Sequence, residues 1–191
     1  IDGDDTVWRV FTAEHRPSAK ALAGVSGNTA KSTLPVTWAV QVGGKRAGGR
    51  TLGEFWQYFP TAQKTGVPGI FNAAFDMSPD RANIGEGSLF NEEIIQRTIP
   101  QLVAANLPLV HNEDEPGKTL DLYPSAEDGG GRSWAEKLLR APLYAALAQV
   151  PSVPAQDGKL YTPQQLNLPL SPKALREPEN ETLLQSFYEE V

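Results

Sequence analysis

Glycine and proline are scattered through the whole chain, 33 of its 191 residues, so no regular element has room to grow long. A chain interrupted this often folds into short strands and helices joined by many turns. Its length suits one large domain or two small ones and is enough to bury a core. It contains no cysteine, so disulfides and thiolate metal sites are closed to it. Its two histidines, His15 and His111, lie far apart, so a zinc site would have to be built mostly from carboxylates, against the usual ligand preference. Seventeen basic residues face 23 acidic ones, a net charge of −6, which fits a soluble, cytoplasmic protein and argues against broad nucleic-acid binding. No apolar run approaches the ~18 residues of a membrane helix. The first residue is Ile1 rather than Met and no signal segment follows, so the start reads as a boundary inside a longer protein.

Between the breaks, residues 6–15 (TVWRVFTAEH) and 34–42 (LPVTWAVQV) read as strands, rich in β-branched and aromatic residues. Residues 55–59 (FWQYF) read as a third strand ended by Pro60, and 69–75 (GIFNAAF) as a fourth. The small residues of 18–32 read as a loop. Gly43, Gly44, Gly48 and Gly49, with Lys45 and Arg46 among them, read as a hairpin-type connection. The first 76 residues therefore suggest an antiparallel meander. The period then changes: Leu89, Phe90, Ile94, Ile95, Ile99, Leu102 and Val103 recur at helical spacing. Ser88 or Asn91 would cap this helix, Glu92 and Glu93 suit its first turn, and Pro100 should kink or split it. Residues 112–132 are acidic, then Gly-rich, and read as exposed. Residues 134–148 read as a helix interrupted by Pro142, Asp157-Gly158 as a tight turn or hairpin, and 179–188 as a short helix.

Residues 55–91 hold an ordered set of small motifs. A strand ends in Phe59-Pro60-Thr61, the turn Lys64-Thr65-Gly66-Val67-Pro68 follows, and a strand carries Asn72 and Phe75. Then come Ser78 and Arg81, and Phe90-Asn91 opens a helix. This order resembles the segment downstream of the nucleotide-binding domain in sacsin-like ATP-binding proteins, which belong to the GHKL ATPases together with the heat-shock protein 90 chaperones. Outside 55–91 the likeness is one of element types only. The resemblance implies an α/β (α+β) fold: a two-layer sandwich of a mostly antiparallel sheet with helices on one face, like the middle domain of those chaperones. Residues 1–107 would form this transducer-like unit, and 108–191 a helical extension with a small hairpin. It also implies that one basic residue reaches towards the γ-phosphate in a neighbouring ATP site. Arg81 stands at the matching position, and Lys64 is a second candidate. No cofactor is expected in the chain itself, with ATP and magnesium in the parent protein. The implied partners are an upstream nucleotide-binding domain of the same chain and client proteins, with neither nucleic acid nor membrane.

The chemistry supports such a role on its own terms. Phosphoryl transfer gathers negative charge that a planar, permanently charged guanidinium can meet, and an arginine from another domain couples docking to hydrolysis. The chain has no P-loop, no Glu-x-x-x-Asn motif and no Asp-x-Gly-x-Gly motif, and Asp128-Gly129-Gly130-Gly131 lies in the wrong context. Alone it is not expected to act as an enzyme; the parent is expected to be an ATPase.

Plainer roles stand beside these. Arg81 could pair with Asp76, Asp80 or Glu86, and Lys64 could be a solvated loop lysine. Asn72 reads as a strand amide bonded to nearby backbone, and Gly66 and Pro68 as turn formers. Trp8, Trp38, Trp56 and Trp134 read as core or half-buried packing. His15 and His111 read as structural or surface residues. Glu113, Asp114 and Glu115 read as a solvated run without calcium-loop spacing, and no Gly-x-Ser-x-Gly elbow is present. The rival function is a protein-interaction or client-binding module without nucleotide contact.

Overall fold

The computed structural model describes residues 7–25, 31–43, 53–113, 116–124, 133–155 and 157–166. The glycine-rich connection at 44–49, Asp114 and Glu115, the 128–131 loop and the helix expected at 179–188 lie outside them.

The fold is mixed α/β, a five-stranded, mostly antiparallel sheet with helices packed on it. β1 (Val7–His15) pairs antiparallel with β2 (Leu34–Gly43), Phe11 opposite Trp38 and Ala13 opposite Val36. The alternation of β2 is realised in burial: Leu34, Val36, Trp38 and Val40 face the core, while Pro35 is exposed on the other side. β3 (Glu54–Gln57), β4 (Phe59–Lys64) and β5 (Ile70–Ala73) complete the sheet in the order β1-β2-β5-β3-β4.

This order corrects the meander. β5 enters between β2 and β3, antiparallel to the first and parallel to the second. The central place buries Phe71 completely, stacked against Trp38 at 6.2 Å and tilted against Phe55 at 6.2 Å. A simple meander would leave that ring without one of its two aromatic neighbours. Pro60 also differs from expectation: it lies inside β4 rather than ending β3. The chain reverses two residues earlier, at Tyr58, whose φ is 63°. Ala62 turns its N–H away from β3 to the carbonyl of Ala82, so Pro60, two residues back, lacks a donor only on that outer edge.

The helical stretch begins with α2 (Leu89–Glu93), widens into a π segment (Ile94–Thr98) and continues as α3 (Ile99–Val110). Pro100 does not split it. The Ile99 N–H reaches back five residues to the Ile94 carbonyl, a wide turn just where proline withholds a donor and needs room for its ring. α4 (Trp134–Leu147) likewise runs through Pro142. It buries Ala135, Leu139, Leu143 and Leu147, and packing of this face against α3 offsets the lost hydrogen bond. Two expected loops hold regular structure. α1 (Ala19–Ala23) is capped by Ser18, whose hydroxyl accepts from the Ala21 N–H at 3.1 Å. A 3₁₀ turn (Pro116–Leu122) buries Thr119 and Leu122. β6 (Val153–Pro154) and β7 (Leu160–Tyr161) form the expected small hairpin, with Gly158 at φ 80°. One hydrophobic core runs from Ala21 through Phe71 and Leu107 to Leu147, and position 107 falls within α3.

The two histidines tie these layers together. His15 is 2 % exposed at the end of β1, with Nδ1 2.7 Å from the Thr98 hydroxyl and Phe90 edge-on. His111 donates from Nε2 to the Gly158 carbonyl at 2.5 Å, and its Nδ1 meets the Thr119 hydroxyl at 2.6 Å. Of the tryptophans, Trp38 is wholly buried, Trp56 and Trp134 are half-buried, and Trp8, at 45 % exposure, is a surface residue rather than a packing one. It sits on the sheet face opposite Trp38, where the described helices do not pack.

Candidate functional site

After β5 the chain must pass from the sheet to the helical layer within residues 74–88. It does so as a small pinned loop. Met77 and Ile84 form an isolated antiparallel bridge, and Ile84 is buried. The base is clamped by Asn91, which lies inside α2 and is fully buried. Its side-chain carbonyl accepts from the Asp76 N–H at 2.8 Å; its NH₂ donates to the carbonyls of Asp76 at 2.7 Å and Gly85 at 3.0 Å. Asn91 is therefore not the helix cap. Ser88 occupies that position, without a side-chain hydrogen bond.

The tip is the turn 78–83. The Ser78 N–H bonds to the Asn83 carbonyl and the Arg81 N–H to the Ser78 carbonyl, each at 2.9 Å. Asp80 accepts from the Ala82 N–H at 3.0 Å and lies 2.5 Å from the Ser78 hydroxyl. These bonds, the hydroxyl first, hold its carboxyl below the usual range. The turn is tied to the edge of the sheet by the bond from Ala62 to Ala82 at 2.9 Å and by the Ile84 N–H donating to Gln63 Oε1 at 3.2 Å. Arg81 stands on this tip with φ 57°, exposed. Among the described residues its guanidinium makes no ion pair; neither Asp76, Asp80 nor Glu86 holds it.

Lys64 lies on the same sheet edge, two residues along β4 from Ala62, and is the last residue of a strand rather than part of a loop. Its ammonium is bonded to Glu54, its cross-strand partner, and that bond is the main reason the Glu54 carboxyl sits below its ordinary value. The Lys64 carbonyl accepts from Ser133 at 3.0 Å, which fastens the turn to the start of α4. Beyond it Thr65 closes the turn on Val67, Gly66 adopts φ 67°, and the Pro68 carbonyl accepts from the buried Trp38 indole at 3.2 Å. Gly66 and Pro68 are thus structural. Asn72 bonds backbone as expected, accepting from Tyr58 at 3.0 Å, although it is only half-buried.

Compared with protein-family models, curated proteins and solved structures, the chain matches none. The arrangement on the page is thus the ground for any functional reading. It offers one cation, Arg81, with no ion pair among the described residues on a hydrogen-bonded turn, a second, Lys64, paired with Glu54, and at the start of the same edge strand two aromatic side chains that the motif reading passed over. Tyr58 and Phe59 are 73 % and 78 % exposed at the β3–β4 reversal. Tyr58 lies between β3 and β4 at φ 63°, outside the in–out alternation of either strand, so the alternation of the sequence did not reveal the pair. Among the described residues no group of three or more His, Asp and Glu could hold a metal ion. No described helix is long and apolar enough to cross a membrane.

Proposed function

We propose that this chain is the coupling domain of a chaperone-like, GHKL-type ATPase acting in the cytoplasm. Arg81 contacts the phosphate of a nucleotide held by an upstream domain of the same protein and so links ATP turnover to the downstream parts. ATP and magnesium belong to that upstream domain. The observation that carries this reading is Arg81 itself: an exposed guanidinium with no ion pair among the described residues, on a turn pinned at once to a sheet edge and, through Asn91, to a helix. Rigid presentation of a free cation is what electrostatic stabilisation of a transferring phosphoryl group requires. Lys64, engaged by Glu54, is the weaker candidate.

The test is Arg81→Ala in the full-length protein, with ATPase rate and nucleotide affinity measured separately. The expected result is a fall in kcat of about 10²-fold or more with affinity nearly kept. A fall below about threefold, with the fold intact, sinks the reading. The exposure of Tyr58 and Phe59 favours a second reading, a surface for client proteins that never meets nucleotide. In that case Tyr58→Ser with Phe59→Ser lowers binding of unfolded polypeptide, and Arg81→Ala leaves ATPase untouched.

A further inference from the structure

The sheet has two edge strands, and they are finished differently. β4 carries Pro60, and the loop after β5 is bonded to its outer side through Ala62 and Gln63. Proline and a covering loop are devices that stop an edge from recruiting a further strand. β1 has neither. It is nine residues long, contains no proline, and keeps an unbroken register with β2 from Trp8 to His15. Every second residue of an antiparallel strand turns its N–H and C=O away from a given neighbour, so β1 presents a row of such groups on the side away from β2. No described residue bonds to them.

Burial divides β1 into two unlike halves. Residues 7–10 are exposed on both faces of the strand, with Val7 at 54 % and Val10 at 62 %. Towards the other end Phe11 and Ala13 are half-buried, and His15 is buried against Thr98 and Phe90 of the helical layer. The first half thus carries apolar side chains without cover, and the second half lies under helices. An antiparallel copy of the same strand sets each uncovered half beside the covered half of its partner. A second copy therefore fits this edge in a way that an arbitrary extended peptide does not.

We propose that β1 pairs antiparallel with β1 of a second copy of this chain, joining the two five-stranded sheets edge to edge. The two-fold axis is normal to the sheet and passes through Phe11, which keeps the helical layers of both copies on one face. Val10 then stands opposite the partner's Thr12, Arg9 opposite the partner's Ala13, and Trp8 opposite the partner's Glu14. No like charges face each other across the seam. Backbone hydrogen bonds replace the solvated edge, and Val7, Trp8 and Val10 lose contact with water. The assembly also closes. Pairing uses the open edge of both copies and leaves only the two β4 edges, which Pro60 and the 76–85 loop guard, so growth stops at two.

Sedimentation of the chain tests this, with a dimer expected at concentrations on the order of 100 µM. Val10→Lys with Thr12→Lys sets four lysines around the axis at exposed positions; it is expected to weaken association about tenfold or more while the circular dichroism stays unchanged. A second measurement does not depend on that variant. The chain has no cysteine of its own, so a Trp8→Cys chain mixed with a Glu14→Cys chain should form a disulfide-linked dimer on mild oxidation. Either chain alone should form little, because two copies of the same position lie six residues, about 20 Å, apart along the seam. A chain that stays monomeric overturns the pairing, including the case in which the edge takes a strand of another protein. A dimer that survives both lysines, or one in which each single-cysteine chain links to itself as readily as to the other, forms elsewhere and overturns it as well.

Discussion

Two turns on one sheet edge each carry a basic residue, and they are built in opposite ways. In the 64–69 turn every group is inward or paired: Thr65, Val67 and Pro68 are buried, Pro68 binds the Trp38 indole, and Lys64 is bonded to Glu54. In the 76–85 loop only the base is inward. Asn91 and Ile84 hold it, while the tip projects Arg81 into water. The first turn completes the core and the second presents a side chain from it. Conformation alone does not separate them, since both contain a residue at positive φ. What separates them is whether the basic side chain each turn carries has an ion-pair partner among the described residues: Lys64 has Glu54, and Arg81 has none.

The comparison breaks first at the buried clamp. Asn91→Ala strands the Asp76 N–H and the Gly85 carbonyl, while the Asp76 carbonyl keeps the Gly85 N–H, so unfolding free energy should fall by about 2–3 kcal/mol. A loss below about 1 kcal/mol in denaturant titration would mean that the loop is not held from below. Next comes the turn that completes the core. Gly66→Ala places a methyl group against the Glu136 side chain at φ 67° and should cost about 1–3 kcal/mol. Arg81→Gly, at nearly the same φ, should change stability by less than about 1 kcal/mol, because it relieves strain where no contact is lost. Equal destabilisation by the two substitutions would erase the distinction.

A smaller effect tests the seam between the layers. Burial holds His15 below its ordinary pKa; Glu93 opposes this and Arg97 adds to it. The Nε2 atom is buried without a partner among the described residues, which supply no acceptor for the added proton. Because the folded state disfavours that proton, the contribution of His15 is present above about pH 6.5 and is lost as pH falls below it, by at most ~1.4 kcal/mol per pH unit. His15→Gln should flatten this dependence in unfolding curves from pH 8 to 5; an unaltered slope would place the titration elsewhere. Smallest is Lys64→Ala, which removes a surface pair and should lower stability by under about 1 kcal/mol.

Local pattern was enough for β1, β2, the fourth strand, both main helices and the turn at Asp157-Gly158, because period and turn chemistry are properties of neighbouring residues. Arg81 was singled out by the resemblance of residues 55–91; only its place between a strand and a helix is a matter of chain order. Three other features depended on contacts distant in sequence. The central position of β5 follows from Phe71 meeting both Trp38 and Phe55. The passage of α4 through Pro142 follows from packing against α3 that outweighs a missing hydrogen bond. Asn91 reads as a cap in the sequence and acts as a clamp because a loop 15 residues earlier folds back onto it. The frequent glycines and prolines determined that the elements would be short and many. Which of them lie side by side, and which of two exposed cations keeps its charge free, was decided by the tertiary structure, since both depend on what the fold brings within hydrogen-bonding distance.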